Sequence, residues 1–229
     1  MAKRPIFLPS STDCLVDEVS LEFEWFPGFA VSQKQKSIAD LHRVAIEQGI
    51  CSKPLEISSK SEIELGNQLS AFNLQVQLPN GRKTSLENIF QASKVFERGG
   101  PYRDLLDCSP LEAKRDIRLK ESGDVVAFKG RAREWPTEPK TAFYDWIYSN
   151  AVKMQPELLE QLLAYDAFTD IEFNPSKSFN CQARSAALLV WLHRTNRMDA
   201  LEDPNQFLSL YSGIADENSQ TPKVQKQLI

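Results

Sequence analysis

The amino-acid sequence predicts an α+β fold that is mainly α-helical and carries a small β-sheet. Few segments alternate apolar and polar residues as a half-buried strand does, and these segments are short. Apolar residues more often recur at the three- and four-residue spacing of a helix, above all in the second half of the chain. With 229 residues, of which 41% are hydrophobic and 25% charged, the chain is long enough for one soluble domain with a substantial core.

The elements of the first half alternate between strand and helix. Helix and strand limits follow from breaking residues, such as the Asn80-Gly81 pair that is typical of a tight turn. The predicted order is a strand over 19–26, a helix over 32–49, irregular chain over 52–67, a strand over 72–78 and a helix over 84–96.

The second half is predicted to be mostly helical. Ser109, Pro110 and Glu112 form a typical helix start, with a cap, a proline at the first position and a glutamate at the third. The predicted order is a helix over 109–120, a strand over 125–128, helices over 142–151 and from 156, an extended piece over 170–173, a central apolar helix over 183–194 and a helix over 204–210. We expect residues 1–212 to form the domain and residues 213–229 to be a polar, disordered tail.

Several functional classes are disfavoured by composition. No apolar run approaches the ~20 residues that cross a bilayer, and the apolar patch near the N-terminus is too short for a secretory signal. We therefore expect a cytoplasmic protein with no membrane partner. The four cysteines form no CxxC pair and the two histidines lie far apart, which argues against a metal site, and no cofactor is implied. A net charge of −4 lacks the basic footprint of a duplex-DNA binder but leaves room for a groove that takes a single modified base.

The predicted helix over 84–96 carries a polar stripe suited to acid–base chemistry. Glu87, Gln91, Lys94 and Arg98 recur at helical spacing, so Glu87 and Lys94, seven residues apart, would point into one cleft. A structural explanation competes with this one. Thr84 and Glu87 have the spacing of a capping box, and a polar stripe is most often a solvated helix face.

Two further features could bind a nucleotide. Trp135 lies among basic residues and prolines and could stack on a base, although a tryptophan anchored in the core is more common. Gly99, Gly100 and Tyr102 could bring backbone amides close to a phosphate, although paired glycines usually just end a helix.

A third cluster surrounds the start of the apolar helix over 183–194. Polar groups at the N-terminus of a helix suit a phosphate or a ribose, but loops are also simply polar. The members of this cluster are Glu172, Asn174, Asn180, Gln182 and Arg184.

The segments Leu69–Phe72 and Thr84–Lys94 resemble the signature of the NADAR superfamily, in which a Ser-Asn-Phe strand precedes Ser-Glu-His-x-Phe-Gln-Ala-x-Lys. The chain is more similar still to the branch encoded beside DarT-type DNA ADP-ribosyltransferases, and the likeness covers roughly residues 20–200. Asn88 and Ala71 depart from the wider family, and these departures fit the toxin-linked branch better. The segment 30–65 is interpreted as an insertion. The stretches that carry the closer likeness are 25–29, 99–102, 143–146, 168–175 and 180–183.

The resemblance implies an enzyme that removes ADP-ribose from guanine in single-stranded DNA and so acts as antitoxin to a DarT-type toxin. It further implies that Lys94 attacks the anomeric carbon by way of an imine, with Glu87 assisting proton transfer or stabilising positive charge on the sugar. Gln91 would lie in the same site, Trp135 would stack on a base, and Arg184 with the loop of Gly99, Gly100 and Tyr102 would hold the diphosphate.

Two other functions stay open at this point. One is an N-glycosidase of small ribosylated metabolites, which would ignore DNA. The other is a noncatalytic antitoxin that binds its toxin through the polar stripe. The partners expected are ADP-ribosylated single-stranded DNA, ADP-ribose and the cognate DarT-type toxin.

Overall fold

The structure, a computed structural model, describes residues 1–12, 14–130, 133–175 and 178–218, apart from the side chains of 213–218. Helices take up about 43% of the chain and strands about 19%, so helix is the more abundant part of a mixed fold. The strands are β1 (Ala2–Pro9), β2 (Val16–Phe23), β3 (Pro54–Glu56), β4 (Gln75–Gln77), β5 (Lys83–Ser85), β6 (Lys94–Phe96), β7 (Val125–Lys129), β8 (Glu134–Trp135) and β9 (Ala167–Thr169). The helices are α1 (Val31–Glu47), α2 (Glu64–Gln68), α3 (Leu86–Ser93), α4 (Pro110–Arg115), α5 (Arg118–Glu121), α6 (Ala142–Lys153), α7 (Pro156–Leu162), α8 (Gln182–Arg194) and α9 (Pro204–Asn218), with 3₁₀ helices at Arg103–Asp107 and Met198–Leu201.

The largest sheet has four strands in the order β2-β1-β9-β3 and opens with a strand that was not predicted. Strand β1 pairs with β2 along its whole length, from Ala2 opposite Phe23 to Pro9 opposite Val16. A proline inside a strand normally removes a ladder hydrogen bond. Pro5 is tolerated because β1 meets β9 only at Phe7, so the side of β1 that faces β9 needs no amide at position 5.

The predictions for 52–67 and 170–173 were wrong. The first segment contains β3, which runs parallel to β9, and α2. The second is a turn that follows β9. Strands β3 and β9 each have three residues, too few for an alternating pattern to show. Strand β3 also ends in Glu56, a buried carboxylate that looks like a surface residue in the sequence.

Two small sheets flank helix α3. Strands β4 and β5 form a hairpin around the predicted Asn80-Gly81 turn, in which Gly81 has φ +80°. Strands β6, β7 and β8 form an antiparallel sheet. The predicted helix over 84–96 ends early, because the chain leaves α3 after Ser93 to enter β6.

Helix α8 forms the centre of the main core, as predicted. All of its residues from 185 to 192 are buried, and α6 and β1 pack against it. The predicted helix over 109–120 divides into α4 and α5, although the capping box of Ser109 and Glu112 is present. Helix α9 continues to Asn218, beyond the predicted 204–210, and the rest of the expected tail, 219–229, lies outside the described residues. Within the described part of the chain, no helix has the length and apolar character needed to cross a membrane.

Candidate functional site

Helix α3 begins in a way that leaves its glutamate free of any capping role. Ser85 caps the helix by accepting a hydrogen bond from the amide of Asn88 at 3.1 Å. The amide of Glu87 donates to the carbonyl of Ala71 at 2.9 Å, so the first turn is satisfied by backbone. The capping box expected from Thr84 and Glu87 is therefore wrong. Capping does not explain the Glu87 carboxylate, which is only 6% exposed.

Glu87, Gln91 and Lys94 form a continuous hydrogen-bonded chain. The amide nitrogen of Gln91 donates to Oε1 of Glu87 at 2.8 Å. The ammonium of Lys94 donates to the amide oxygen of Gln91, also at 2.8 Å. The three residues therefore meet even though Lys94 is the first residue of β6 and lies outside the helix. Arg98, the fourth residue of the predicted stripe, is exposed and lies beside Glu97 instead.

The side chain of Lys94 lies on Phe90, the first of three stacked rings (Phe90, Phe128 and Phe143) that we call the aromatic floor. Its ammonium is 4.6 Å from the centre of the Phe90 ring. Phe128, the residue opposite Lys94 on β7, stacks on Phe90 with ring centres 5.7 Å apart. Phe143 lies against Phe128 at 4.8 Å and extends the apolar surface. These rings take the place of water around the amine.

This environment lowers the pKa of Lys94 to about 8. Burial is the largest cause, because it penalises the charged form. The nearby Glu87 carboxylate opposes the shift, and the charge of Lys114 adds to it. With this pKa roughly a quarter of the molecules carry a neutral amine at pH 7.5, against about one in a thousand at the reference value. A neutral amine is a nucleophile.

The loop after β6 lies against the backbone of Lys94. Gly100 has φ +78°, and a Cβ atom there would lie 2.5 Å from the carbonyl oxygen of Lys94, so only glycine fits. Gly99 accepts a hydrogen bond from the amide of Phe96, and the hydroxyl of Tyr102 shares one with Ser122 at 2.5 Å. The structure thus brings the predicted residues of this loop next to the strand that carries Lys94.

Trp135 does not offer a face for stacking on a base. It is 3% exposed and packs against Phe143 and Trp146, with ring centres 5.7 and 5.2 Å away. Its strand, β8, pairs Trp135 with Phe128. The substrate-stacking prediction for Trp135 is therefore corrected to a role in the core beneath the aromatic floor.

Arg184 is engaged by a buried carboxylate. Its guanidinium pairs with Asp145, which is 1% exposed on its side chain, and donates to the hydroxyl of Thr141 at 3.1 Å. Asp145 also accepts hydrogen bonds from Ser185 at 2.6 Å and Tyr211 at 2.8 Å. Burial is the largest single effect and lowers the pKa of Arg184, but Asp145 and Tyr211 together raise that pKa above its ordinary value. The network joins α6, α8 and α9, so the prediction that Arg184 holds a diphosphate gives way to a structural role.

The remaining predicted residues lie along the chain that leads into α8. Gln182 accepts from the amide of Ala71 at 2.7 Å and donates to the carbonyl of Ile57 at 2.6 Å, which ties α8 to the segment before α3. Asn180 is half-buried, and its side-chain oxygen has no hydrogen-bond partner among the described residues. Glu172 is exposed and pairs with Lys34 of α1 at 3.5 Å. The carbonyl of Asn174 accepts from the amide of Ser178 in the same loop.

The basic residues and the histidine of the segment 30–65 helix are mostly engaged within the protein. His42 bonds to Thr169 at 2.8 Å, and Arg43 pairs with Asp40 and Glu47. Lys36 is exposed. Helix α1 therefore serves mainly to cover the large sheet, which fits the apolar cluster that it shares with β1 and β2.

A buried tyrosine and two acidic residues near the site were missed. The Tyr144 ring meets Phe90 at 5.0 Å, and burial with the charges of Glu87 and Asp170 raises the pKa of its hydroxyl. Burial and the neighbouring Glu56 raise the pKa of Asp170 to about 8, and burial also raises the pKa of Glu56. Tyr144 and Asp170 could have been found from their places in the 143–146 and 168–175 motifs, whereas Glu56 gave no signal.

A further cation, Lys114, lies on α4 with its ammonium 5.1 Å from the Phe72 ring. It was missed because it looks like an ordinary surface lysine in a short helix. Within the described residues, His, Cys, Asp and Glu side chains form no group of three that could hold a metal ion.

Comparison with known proteins identifies the family. No curated protein matches the chain. The family model described as "DarT1-associated NADAR antitoxin" matches residues 2–221, nearly the whole length. The residues that match therefore include the Glu87–Gln91–Lys94 chain, the loop that supports it and the helices that frame it. This chain belongs to the family of DarT1-associated NADAR antitoxins.

Proposed function

We propose that this antitoxin is a hydrolase that removes ADP-ribose from guanine bases of single-stranded DNA and so reverses the modification made by a DarT-type toxin. The observation that carries the proposal is Lys94, whose amine has a pKa of about 8 and is joined through Gln91 to the buried carboxylate of Glu87. A surface stripe with no chemical role would not need a desolvated lysine. The family to which the chain belongs includes N-glycosidases, which supports hydrolysis of an N-glycosidic bond.

Lys94 supplies the nucleophile in this mechanism. The neutral amine attacks the anomeric carbon of the ribose, the carbon–nitrogen bond to guanine breaks, and guanine leaves with a proton. The ribosyl-lysine then opens to an imine. Water hydrolyses the imine and releases ADP-ribose, which returns the free amine.

Glu87 has two possible tasks that its position supports. Its carboxylate is joined to the Lys94 nitrogen through the Gln91 amide, so it assists proton transfer by stabilising the positive charge that the attacking amine carries until its proton passes to the leaving guanine. The same negative charge stabilises positive charge that develops on the sugar. The charge of Glu87 acts on the hydroxyl of Tyr144. This hydroxyl makes no hydrogen bond within the described residues, so it suits a contact with the leaving base.

Besides Gln91, the predicted binding set contributes the loop of Gly99, Gly100 and Tyr102, which lies against the backbone of Lys94. We assign it to holding the sugar or its phosphates through backbone amides. Gln182 acts indirectly, because it fixes Ala71, whose carbonyl receives the Glu87 amide.

The test uses a single-stranded oligonucleotide ADP-ribosylated on guanine. Wild-type protein should restore the mobility of the unmodified strand and release ADP-ribose, and Lys94→Ala and Glu87→Ala should each slow release by at least about a hundredfold. Lys120→Ala, which removes an exposed lysine of α5, is the matched control and should cleave as the wild type does. An intact substrate after incubation with wild-type protein would overturn the proposal.

Two rival functions give different results in the same experiments. An N-glycosidase of small ribosylated metabolites would cleave a free ribosylated nucleotide and leave the oligonucleotide unchanged. An antitoxin that works only by binding would protect cells from the toxin as well with Lys94→Ala as with the wild-type residue. The proposal requires that Lys94→Ala lose protection while the protein still accumulates.

A further inference from the structure

The proposed reaction needs a positive charge that the predicted binding residues do not supply. ADP-ribose carries a diphosphate with two negative charges, and such groups are usually met by lysine or arginine. Arg184 was the predicted cation, but its guanidinium is engaged by the buried Asp145. A different cation near Lys94 would therefore have to bind the diphosphate.

Lys114 stands at the edge of the Lys94 site. It lies on α4, which packs on α3, and its ammonium is 5.1 Å from the ring of Phe72. Phe72 follows Ala71, whose carbonyl receives the amide of Glu87 at 2.9 Å. The contact of Lys114 with Phe72 and the hydrogen bond of Ala71 with Glu87 therefore fix the position of Lys114 relative to the Glu87–Gln91–Lys94 chain. The charge of Lys114 acts on the Lys94 amine.

Cations in the surrounding segment are held in different ways. Arg118 pairs with Asp104 and Asp116, and Arg82 pairs with Asp107. Lys114 makes no ion pair in the part of the chain that the structure describes, and it is exposed. Among the described residues its ammonium lies against the face of the half-buried Phe72 ring.

The surrounding sequence also favours an anionic ligand. Residues 82–133 contain 12 Lys and Arg against 8 Asp and Glu, although the whole chain has a net charge of −4. The segment that contains Lys94 and Lys114 therefore has a formal charge of +4, from 12 positive and 8 negative side chains, which favours a negatively charged substrate.

We propose that Lys114 binds the diphosphate of ADP-ribose at the mouth of the Lys94 site, with Phe72 holding the lysine side chain in position. This inference rests on the proposed function, because it assigns the ligand of the same site. It corrects the assignment of the diphosphate to Arg184. A phosphate of the DNA backbone has the same chemistry as a ligand, and the experiment separates the two.

Binding of ADP-ribose and of an unmodified single-stranded oligonucleotide is measured by calorimetry with wild-type protein, Lys114→Gln and Arg115→Gln. Arg115 is an exposed cation beside Lys114 on the same helix, so its variant removes the same charge from a different side of α4. Lys114→Gln should weaken ADP-ribose binding about tenfold, leave oligonucleotide binding within twofold, and Arg115→Gln should leave both within twofold.

The inference is overturned if Lys114→Gln binds ADP-ribose as tightly as wild type does, if the loss appears with the oligonucleotide instead, or if Arg115→Gln has the same effect. These outcomes are independent of the cleavage assay. A wild-type protein that binds ADP-ribose through Lys114 but leaves the modified oligonucleotide intact would refute the hydrolase alone. A wild-type protein that cleaves, with unchanged binding in Lys114→Gln, would refute this inference alone.

Discussion

The surroundings of Lys94 lower the pKa of its amine and so disfavour the charged form. Burial of the amine against the Phe90 ring, on which Phe128 stacks, penalises the charged form, and Lys114 repels it. Glu87, one amide away, favours the positive form and limits the shift. The site therefore keeps the amine near the pH at which it can both accept and lose a proton, as general acid–base and nucleophilic catalysis require.

Glu87→Gln should move the pH dependence of the reaction in a direction that its charge determines. Glu87 raises the pKa of Lys94, so its removal lowers that pKa below about 8. The acid limb of kcat should then lie at lower pH by roughly half to one unit, although the maximal rate falls. The charged groups that act on Lys94 are Glu87 and Lys114, and only the first is altered.

Single-turnover rates between pH 5.5 and 9.5 measure this shift. Glu97→Gln is the control, because Glu97 is exposed and lies beside Arg98 instead of Lys94. An acid limb of Glu87→Gln that stays in place, or moves to higher pH, would show that the limb does not report the Lys94 amine.

At the scale of elements, three helices are held together by one carboxylate. Asp145 on α6 pairs with Arg184 on α8 and accepts hydrogen bonds from the hydroxyls of Ser185 on α8 and Tyr211 on α9. A buried charge that loses its partner is costly, because its desolvation is no longer compensated. Gly100 also acts between elements: because it has no side chain, its loop can lie against β6, the strand that carries Lys94.

Asp145→Ala should lower the free energy of unfolding by roughly 3 kcal/mol, since it strands Arg184 in a site where its side chain is only 21% exposed. The double variant Asp145→Ala with Arg184→Met should lose less than the sum of the single variants. Urea denaturation monitored by tryptophan fluorescence gives both values. Additive losses would mean that the two residues stabilise the fold independently.

At the scale of the whole molecule, the buried Glu56 and its half-buried neighbour Asp170 make stability depend on pH. Burial and Glu56 raise the pKa of Asp170 from its ordinary value near 4 to about 8. The folded state therefore holds a proton that the unfolded chain releases. Its stabilising effect is fully present below about pH 4 and is lost as the pH rises through about 8. His42, whose pKa burial lowers to about 4, acts in the opposite direction below its ordinary value of 6.5.

Asp170→Asn removes the contribution of Asp170 to the pH dependence of the free energy of unfolding and keeps that of His42. The difference in unfolding free energy between variant and wild type should therefore shift in favour of the variant as the pH rises from 5 to 8.5. Urea titrations at four pH values measure the difference, with Glu160→Gln, which replaces an exposed acid of α7, as the control. A difference that stays constant with pH would show that Asp170 is not protonated in the folded protein.

The sequence allowed much of this molecule to be predicted, and the failures share a physical cause. Long amphipathic or apolar segments such as α1, α6 and α8 have enough residues for a period to appear, and they were found. Strands of two or three residues, such as β3 and β8, have no period and owe their conformation to neighbours distant in sequence. Lys94 was placed on a helix for the same reason, since its pairing with Phe128 is a long-range contact.

The candidate site shows the same division. Glu87, Gln91 and Lys94 are close in sequence, so their spacing was enough to bring them together. Trp135 and Arg184 were judged by residue type, and type alone does not reveal a partner such as Asp145. The contact of Lys114 with Phe72 joins residues 42 positions apart and becomes visible only in the fold.

Reductive trapping shows directly whether the Lys94 amine attacks the sugar. Protein, ADP-ribosylated oligonucleotide and sodium borohydride are mixed at pH 8, and the protein is digested and analysed by mass spectrometry. Attack by Lys94 predicts an ADP-ribose adduct on the peptide that contains Lys94, its absence in Lys94→Ala, and its presence in Lys120→Ala. Release of ADP-ribose at the wild-type rate by Lys94→Ala, or an adduct on a different lysine, would contradict it.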